Sequence, residues 1–418
     1  MNKFGIQYSG EILETSLEQN PHTNDTVGQC SEIRDILIKF QQGYSERKLE
    51  NVDSFTEELF QHSDDISILG TATGEIFFGL NEVKQLIKGD WESWGDLNID
   101  YKNAYISIDG NTAWFSTNGT VKYSFEHTQD KYDRYVDYIK TAAEDNKLTP
   151  KQRIAFINWV LTLSYHQRDK QIREYFWPMG LSGMLIKEED GWKIVHLHFS
   201  MANPNFPDER FENSKEYIDS YDEQKNIFKK YKNNKATEDI SEFLKSFEND
   251  FKENKYTSNE LIRKYFGEND KAYVIGPENK WYDDAEHIKE FFINSDMGNL
   301  SLDIENAIAS NSENATWITV MGTLNQNFTE DKLIDRSLQE LDNLFKSNLS
   351  SQDKLFAVQR SISYVLKECA SGMNYTFPIR MTAVILNDEN GLKFNYIHFS
   401  FPFYWIFEGK IDTGFYKQ

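Results

Sequence analysis

A long internal repeat constrains this chain more than any other feature. Residues 97–121 align without a gap to residues 300–324, 203 positions later, and nine of the 25 aligned residues are identical. A second similarity follows at an offset of 200, where residues 191–200 (GWKIVHLHFS) align with residues 391–400 (GLKFNYIHFS). This period far exceeds the roughly 20–50 residues of stacked solenoid repeats. The sequence therefore predicts two copies of one globular domain.

Size and composition agree with two ordinary domains. Half of the 418 residues can bury a sizeable core, and 30 Phe, 22 Tyr and 9 Trp supply bulky side chains for it. The net charge of -22 argues against nucleic acid and against an anionic membrane surface as partners, because both require clustered Lys and Arg. The two cysteines, Cys30 and Cys369, occupy non-equivalent positions, so the sequence predicts neither a disulfide framework nor a cysteine metal site.

The sequence carries no recognisable targeting or cofactor signal. Its amino terminus has no apolar run of signal-peptide length, and no segment approaches the roughly 20 apolar residues of a membrane span. We therefore expect a cytoplasmic protein that does not enter a membrane. Because the sequence has no phosphate-binding glycine loop, nucleophile elbow or HExxH motif, we also expect no cofactor.

Each half reads as helices followed by long antiparallel strands. In the first half, apolar residues at helical spacing predict three helices, and the short apolar run at residues 66–69 predicts a strand. Residues 99–108 and 112–121 are strand-like and flank a hairpin turn, and a second hairpin turns at residues 189–191. Helices followed by antiparallel hairpins predict an α+β fold.

The repeat also predicts the domain boundaries. We expect a flexible arm at residues 1–28, a first domain at 29–205, a linker rich in Pro, Asn and charge at 206–222, and a second domain at 223–418. Between its two strand hairpins, each half carries a helical insertion, which in the second half includes residues 333–345. The insertion was therefore present before the duplication or meets the same structural demand in both halves.

The order of these elements resembles the SnoaL-like branch of the nuclear-transport-factor-2-like superfamily, above all in the last strand, DGWKIVHLHFS at residues 190–200. That strand is also similar to the closing strand of the association domain of calcium/calmodulin-dependent protein kinase. The resemblance covers residues 33–205 and, more weakly, 240–404. It implies two cone-shaped units, each a curved antiparallel sheet wrapped on helices with a pocket at its open end. Because such domains often dimerise through the sheet, the duplication predicts an intramolecular pseudo-dimer, and further oligomerisation stays open.

Matched histidines are the first candidates for a site. His198 and His398 occupy equivalent positions, and strand alternation places Trp192, Ile194, His196, His198 and Ser200 on one face. On a pocket wall the histidines would donate hydrogen bonds or carry protons. In the structural alternative, which we favour, they bond to neighbouring strands. His196 and His198 also have the spacing of two metal ligands, but Tyr396 replaces His196 in the second half, so we predict no metal.

Charged residues supply the remaining candidates. SnoaL-like sequences commonly carry Arg before the Thr of one strand, so the resemblance implies that Arg380 could grip a ligand carboxylate, whereas the first half has Gly180 there. The alternative is a structural ion pair. Asp100 and Asp303 are matched acids that could act as a general base, but their place at a strand edge favours a solvated role. We assign no catalytic residue.

Three functions stay open. The leading hypothesis is a non-catalytic tandem pocket protein that binds a small apolar or weakly acidic ligand in one or both cavities. Its predicted pocket walls carry His196, His198, Tyr396, His398 and Arg380. The alternatives are an isomerase, dehydratase or cyclase with one active half, and an assembly scaffold whose inserted helices contact partners. A buried carboxylate with a perturbed pKa that faces Tyr or His would favour the enzyme, and pockets filled by aromatic residues would favour the scaffold.

Overall fold

A computed structural model gives the structure of the chain between residues 29 and 411. The residues within this range that it does not describe are 73, 126–128, 165–172, 203–213, 232, 253–258, 268–271, 296–298, 313–314, 403–405 and 408–409. The predicted arm at residues 1–28 and the first part of the predicted linker lie outside the described residues. Within the described part of the chain, no helix is long and apolar enough to cross a lipid bilayer.

The first half combines a group of helices with one sheet. Its helices are α1 (Gln29–Glu46), α2 (Val52–Leu59), α3 (Gly79–Ser93), α4 (Gln129–Glu144) and α5 (Pro150–Ser164). Its strands are β1 (Ser67–Leu69), β2 (Ile76–Phe78), β3 (Asp96–Ile99), β4 (Tyr105–Asp109), β5 (Thr112–Phe125), β6 (Arg173–Glu188) and β7 (Gly191–Met201). The strands form one sheet in the order β2-β1-β7-β6-β5-β3, and β4 also pairs with β5.

The second half repeats this arrangement. Its helices are α6 (Ser214–Lys230), α7 (Glu238–Lys252), α8 (Asn259–Phe266), α9 (Ala285–Asn294), α10 (Glu330–Lys346) and α11 (Ser351–Ser371). Its strands are β8 (Tyr273–Ile275), β9 (Trp281–Tyr282), β10 (Leu300–Leu302), β11 (Ile308–Ser312), β12 (Ala315–Asn327), β13 (Asn374–Asp388), β14 (Gly391–Ser400) and a terminal hairpin of β15 (Ile406–Phe407) and β16 (Lys410–Ile411). The order β9-β8-β14-β13-β12-β10 matches that of the first sheet, and the prediction of two α+β units is confirmed.

Both sheets are mixed, although we predicted antiparallel ones. Strand β1 runs parallel to β7, and β8 runs parallel to β14, while the long central pairs are antiparallel. The physical reason is the long connection between the partners of each parallel pair. A hairpin fixes an antiparallel direction, whereas strands joined by a long crossover are free to pair in parallel.

The predicted strand at residues 99–108 is interrupted by a short 3-10 turn, Tyr101–Asn103. The Asp100 carboxylate accepts hydrogen bonds from the backbone N–H and the side-chain amide of Asn103, at 3.2 and 2.9 Å. In the second half, the Asn306 amide donates to Asp303 at 2.9 Å. The matched acids therefore stabilise the turn between two strands that pair with the same partner, which explains why both copies keep the Asp and the Asn.

Each sheet buries one face, here called the inner face, against the helices of its own half. Helix α1 and helix α7 each direct four apolar or aromatic residues into their core at the same spacing: Ile33, Leu37, Phe40 and Tyr44 in α1, and Ile240, Leu244, Phe247 and Phe251 in α7. The inner faces contribute Leu181, Leu197 and Phe199 in the first half and Met381, Ile397 and Phe399 in the second. Burial of each such side chain stabilises the fold by roughly 1.5–3 kcal/mol.

The opposite faces of the two sheets, here called the outer faces, pack against each other. Their shared apolar cluster comprises Tyr105, Trp114, Met184, Val195, Tyr273, Ile275, Ala315, Trp317, Val384 and Tyr396. The Trp114 indole donates to the Asn395 side chain across this contact at 2.8 Å. Helix α6 occupies the second part of the predicted linker, and its Gln224 is fully buried. The outer faces therefore form one continuous core between the halves.

The helical insertions lie where we predicted them, between the hairpins of each half. Helices α5 and α11 contact each other across the two halves: the Asn158 amide donates to the Ser363 hydroxyl at 2.9 Å, and the Trp159 and Tyr364 rings meet edge to face. Several large apolar side chains of the insertions remain exposed to solvent, including Ile154 at 70% and Leu355 at 71%.

Candidate functional site

The matched histidines meet at the centre of the contact between the outer faces. The ring centroids of His198 and His398 lie 4.1 Å apart. The His198 nitrogens contact the hydroxyls of Thr382 and Ser400 at 2.9 and 2.7 Å, whereas His398 contacts Ser182 and Ser200, both at 2.8 Å. The four contacts repeat with the halves exchanged. Each histidine is therefore held by two hydroxyls of the opposite half.

Burial keeps these rings neutral. It lowers the pKa of His398 to about 3, and it lowers the pKa of His198, to which the nearby His398 and Arg380 also contribute. A neutral imidazole has one N–H donor and one acceptor nitrogen, and a hydroxyl can take either role. Each ring is thus satisfied without a charge.

His196 and Tyr396 occupy equivalent positions but make different contacts. The His196 nitrogens contact the hydroxyls of Ser67 and Ser310 at 2.7 and 2.8 Å, and burial lowers the pKa of His196 to about 3. Its ring stacks on Trp317 at 5.4 Å. Tyr396 instead stacks on Tyr273 at 5.3 Å, and burial raises its pKa. His196 therefore links the two halves through Ser310 and Trp317, whereas the stack of Tyr396 on Tyr273 joins neighbouring strands of the second sheet.

Arg380 is fully buried and reaches from the second half into the first. Its guanidinium donates to the backbone oxygens of Gly70 and Ala72 at 2.5 and 2.9 Å, and its Nε donates to the Gln224 side chain at 2.9 Å. At the equivalent position of the first half, a side chain on Gly180 would collide with Asn279, because an added Cβ would lie 2.7 Å from the Asn279 Oδ1. Arg380 therefore grips backbone carbonyls of the other half.

The five candidate pocket residues lie on the outer faces, not on the inner faces that pack against the helices. The alternation of β7 is shifted by a β-bulge, because Met184 pairs with His196 but Leu185 pairs with Ile194, which leaves Val195 as the extra residue. Trp192 and Ile194 thus point into the inner core, while the histidines point outward. Whether any of the five binds a ligand stays a prediction.

The inner side of the first half holds polar groups that the sequence reasoning missed. The Tyr44 hydroxyl on α1 donates to Asp90 Oδ2 on α3 at 2.7 Å. Tyr44 is buried and Asp90 is half-buried. Burial raises the pKa of Asp90, and the charge of Glu75 adds to the rise, whereas the hydrogen bond from Tyr44 and the Arg47 charge oppose it; together these effects raise the pKa to about 8. Asp90 therefore changes protonation near neutral pH.

Glu75 completes this group, which we call the acid cluster of Tyr44, Asp90 and Glu75. Its Oε2 accepts a hydrogen bond from the backbone N–H of Ala72 at 2.6 Å. Burial raises the pKa of Glu75, and the Ala72 hydrogen bond and then the Arg380 charge oppose the rise. The charge of Glu75 therefore favours the protonated form of Asp90.

The second half has no counterpart of the Tyr44–Asp90 pair at the equivalent positions. Equivalent positions follow from the buried spacing of the helices: Val83, Leu86, Ile87 and Asp90 in the first half, and Ile288, Phe291, Phe292 and Ser295 in the second. Ser295 therefore replaces Asp90, and Phe251 replaces Tyr44. The Phe251 and Phe292 rings lie 4.3 Å apart. Aromatic packing thus fills the place of the polar pair.

Part of the acid cluster does have a counterpart. An added Cβ on Gly70 or on Gly276 would lie 2.4 or 2.2 Å from a carboxylate oxygen, of Glu75 in the first half and of Glu278 in the second. Burial raises the pKa of Glu278 to about 7, and the Tyr282 hydroxyl donates to this carboxylate. Both halves therefore place a Glu over the glycine that ends a strand, but only the first adds Asp90 and Tyr44.

One signal in the sequence could have identified Asp90. It follows Leu86 and Ile87 at helical spacing, so a carboxylate stands on the apolar stripe of α3, where an unpaired charge is costly. Tyr44 extends the stripe of α1 in the same way, four residues after Phe40. An acid on a buried stripe indicates a perturbed pKa and marks a candidate site.

The described residues include one group with the composition of a metal site: Asp283, Asp284 and His287, whose ligand atoms lie within 4.8 Å of one another. The group is largely exposed. Asp284 caps α9 by accepting a hydrogen bond from the His287 backbone N–H at 2.8 Å. This capping contact accounts for the arrangement, and we assign no metal to it.

Comparison with known proteins identifies the domain type. A family model described as a SnoaL-like domain matches residues 33–136 and 124–204. No curated protein matches the chain. An NTF2-like superfamily protein from Salmonella enterica subsp. enterica serovar Typhimurium str. LT2 is 13% identical, with 43% of this chain and 96% of that chain aligned at a TM-score of 0.28.

Two further solved structures are similar over about the length of one half. A protein with a cystatin-like fold from Caulobacter vibrioides is 12% identical, with 42% of this chain and 90% of that chain aligned at a TM-score of 0.26. The CaMKII hub of S. rosetta is 11% identical, with 42% of this chain and 98% of that chain aligned at a TM-score of 0.26. The first half therefore carries a SnoaL-like domain, and the second half repeats its sequence pattern and strand order, so the chain is a tandem of two such units.

Proposed function

We propose that the first half binds a small carbonyl-bearing or weakly acidic molecule at the acid cluster and transfers a proton to or from it, as isomerases and dehydratases do. The observation that carries this proposal is the hydrogen bond from Tyr44 to the carboxyl group of half-buried Asp90, whose pKa is raised to about 8. A carboxyl group that titrates near the working pH is both an effective acid and an effective base.

The chemistry assigns a role to each member of the cluster. Protonated Asp90 donates a hydrogen bond to a ligand oxygen, and ionised Asp90 takes a proton from a carbon next to a carbonyl. Tyr44 donates to Asp90 and holds the carboxyl group in one orientation. Glu75 raises the pKa of Asp90 through its charge. A carboxyl group with a raised pKa that faces a tyrosine supports the enzyme hypothesis, and the first half, unlike the Glu278–Tyr282 pair of the second, adds a second acid to it.

We further propose that the second half serves as a structural partner and that the two halves form an intramolecular pseudo-dimer through their outer faces. The reciprocal contacts of His198 and His398 support this arrangement. So does the aromatic filling of the second core around Phe251 and Phe292. A partner that no longer binds substrate keeps its interface and loses its pocket chemistry.

A thermal-shift screen tests the proposal with hydrophobic ketones, β-diketones and aromatic carboxylic acids as probes. A ligand at 100 times its Kd stabilises the folded protein by about 2.7 kcal/mol. We expect at least one probe to stabilise the wild-type protein, and Asp90→Asn and Tyr44→Phe to lose most of this effect. The matched controls Ser295→Ala and Phe251→Leu in the second half should keep it. Equal stabilisation of Asp90→Asn and wild type would place the binding site elsewhere.

Deuterium exchange separates chemistry from binding alone. A ketone probe that stabilises the protein is incubated with it in deuterium oxide, and its mass is followed over time. Proton transfer at Asp90 predicts faster incorporation of deuterium next to the carbonyl, and the rate should fall at least about 100-fold in Asp90→Asn. Binding without exchange would instead support the non-catalytic ligand-binding protein.

Assembly is a second candidate function, favoured by the apolar side chains that the insertions expose. Leu338 and Phe345 on α10 are each 59% exposed, beside the contact of α5 with α11 that already joins the halves. A second copy of the chain could continue this contact. Light scattering tests this candidate: a dimer that Leu338→Glu dissolves supports assembly, and a monomeric wild-type protein at high concentration contradicts it.

A further inference from the structure

We propose that Arg380 of the second half is a positioning residue for the acid cluster of the first half, because it holds the loop that carries Glu75 beside Asp90. This inference rests on the proposed function, but its test measures the loop and its carboxyl group directly. It makes the site a product of both halves.

The contacts of Arg380 fix the backbone of this loop. Two arms of the guanidinium donate to the oxygens of Gly70 and Ala72, so they bridge carbonyls two residues apart. The Nε of Arg380 donates a third hydrogen bond, to the side-chain oxygen of Gln224 on α6. All three partners and Arg380 itself are in buried contacts. A lysine could not make this bridge, since its single ammonium lacks the fork.

The same loop places Glu75. Gly70 and Glu75 are joined by a backbone hydrogen bond from the Gly70 N–H to the Glu75 oxygen at 2.9 Å. The Glu75 carboxylate then folds back onto the loop, where the Ala72 N–H donates to its Oε2 at 2.6 Å. The residues whose carbonyls Arg380 holds are therefore the residues that orient Glu75. Any loosening of Arg380 passes directly to this carboxylate.

The corresponding place in the other direction is closed rather than bridged. Position 180 carries glycine, and Asn279 from the second-half loop donates to the Met179 backbone oxygen at 3.2 Å. A side chain at Gly180 would also meet the Ser200 hydroxyl, 2.7 Å from an added Cβ. The second half thus reaches into the acid loop of the first through a side chain, whereas the Glu278 loop meets the first half, among the described residues, at the Met179 backbone. The half whose loop is held by Arg380 is thus also the half that contains the Tyr44–Asp90 pair.

Five ionisable groups interact electrostatically at this point. Glu75 interacts with Arg380 from β13, with Asp90 from α3 and with Tyr44 from α1, and Arg47 acts on Asp90 and Tyr44. The Arg380 charge lowers the pKa of Glu75, against the rise that burial causes. An ionised Glu75 in turn raises the pKa of Asp90. Arg380 thus helps to decide which of the two acids carries the proton.

Carbon-13 NMR of the full chain labelled at Glu side-chain carboxyl groups tests this role without a ligand. Glu75→Gln and Glu278→Gln identify the two signals by their loss. In Arg380→Gln, we expect the titration midpoint of Glu75 to rise by about one pH unit or more, because an opposite charge has been removed. The midpoint of Glu278 is the internal control and should not move. Arg380→Lys should give an intermediate rise, since the charge stays but the fork is lost.

The outcomes separate this inference from the proposed function. An unchanged Glu75 midpoint in Arg380→Gln would overturn the positioning role, as would an equal rise at Glu278, which indicates a general loosening of the fold. If Arg380→Gln does not fold, Arg380→Lys decides: an intermediate rise supports the role, and no change overturns it. The proposed function fails separately, when Asp90→Asn binds the ketone and acid probes as wild type does.

Discussion

The two cores of this chain share a scaffold and differ in what they enclose. Helices α1 and α7 present four buried residues at the same spacing, but the last of these is Tyr44 in one half and Phe251 in the other. Near the end of α3, Asp90 occupies the position that corresponds to Ser295 at the end of α9. The halves also share the histidines of their contact. The comparison teaches that duplication preserved the interface and the packing, while the Tyr44–Asp90 pair is present in only one core.

Physical chemistry explains why such a division is stable. Burying Phe251 in the second core removes no polar group from water. In the first core, the carboxyl group of Asp90 is poorly hydrated, which lowers the stability of the fold. A protein tolerates such a cost at functional sites. Matched substitutions in the two halves should therefore have equal energetic effects at the contact and unequal effects in the cores.

The largest effect is expected at the shared contact. His198→Ala and His398→Ala each remove a fully buried ring and leave two hydroxyls without their partner, so each should lower the free energy of unfolding by about 3 kcal/mol. The two values should agree within about 1 kcal/mol, because the contacts are reciprocal. Urea denaturation measures both.

The exposed His287 provides the control for these substitutions. His287→Ala should change the free energy of unfolding by less than about 0.5 kcal/mol. A large cost for one contact histidine and none for the other would break the equality of the halves at their interface.

The next effect concerns Asp90 and distinguishes the two cores. Because its folded pKa of about 8 exceeds the unfolded value, the folded state holds the proton more tightly, and the protein loses stability as pH rises from about 4 to 8. Asp90→Asn removes this loss. It should raise the free energy of unfolding by on the order of 1–2 kcal/mol at pH 8.5 and by much less at pH 4.5.

Ser295→Ala at the matched position should show no such pH dependence. Denaturant titrations at a series of pH values make the comparison. If the gain for Asp90→Asn is the same at both pH values, Asp90 does not titrate as an acid with a raised pKa, and the difference between the cores loses its chemical meaning.

A smaller effect should appear in acid. Burial lowers the pKa of His196, His198 and His398, so their contribution to stability is complete above pH 6.5 and is lost as pH falls toward their folded pKa values. His196→Gln keeps a hydrogen-bonding side chain but cannot take up a proton. We expect it to flatten the fall in stability between pH 6.5 and 4.5 by about a third. An unchanged slope would show that His196 is already protonated in the folded protein.

The smallest effect concerns the repeated turn. Asn103→Ala and Asn306→Ala each remove a side-chain hydrogen bond to the preceding Asp, and each should cost about 0.5–1 kcal/mol. The two costs should be similar, because the turns are copies. Thermal unfolding of both variants measures this, and a cost above about 3 kcal/mol for either would show a role beyond the turn.

The sequence was sufficient for the architecture because the repeat and the strand patterns are local. Helical spacing and hairpin turns predicted the two α+β units and the insertions, and alternation correctly grouped His196 with His198. Alternation failed at Val195, where a β-bulge shifts the face of the strand. A bulge depends on pairing with β6, which a single strand does not reveal.

The acid cluster could not be predicted in the same way. Tyr44, Glu75 and Asp90 come from a helix, a loop and another helix, and no spacing along the chain brings them together. Arg380 was recognised as a candidate anion site, yet its partners are carbonyls 310 and 308 positions away. Such contacts follow from the packing of two halves, which only the tertiary structure specifies.

The most direct test of the central claim is the titration of Asp90 itself. Carbon-13 NMR of protein labelled at Asp side-chain carboxyl groups, with Asp90→Asn to identify the signal, measures its midpoint. The proposed site predicts a midpoint near pH 8 for Asp90, with a downward shift in Glu75→Gln because the neighbouring charge is lost. A midpoint near 4 that does not respond to Glu75→Gln would contradict it, because Asp90 would then be an ordinary solvated acid.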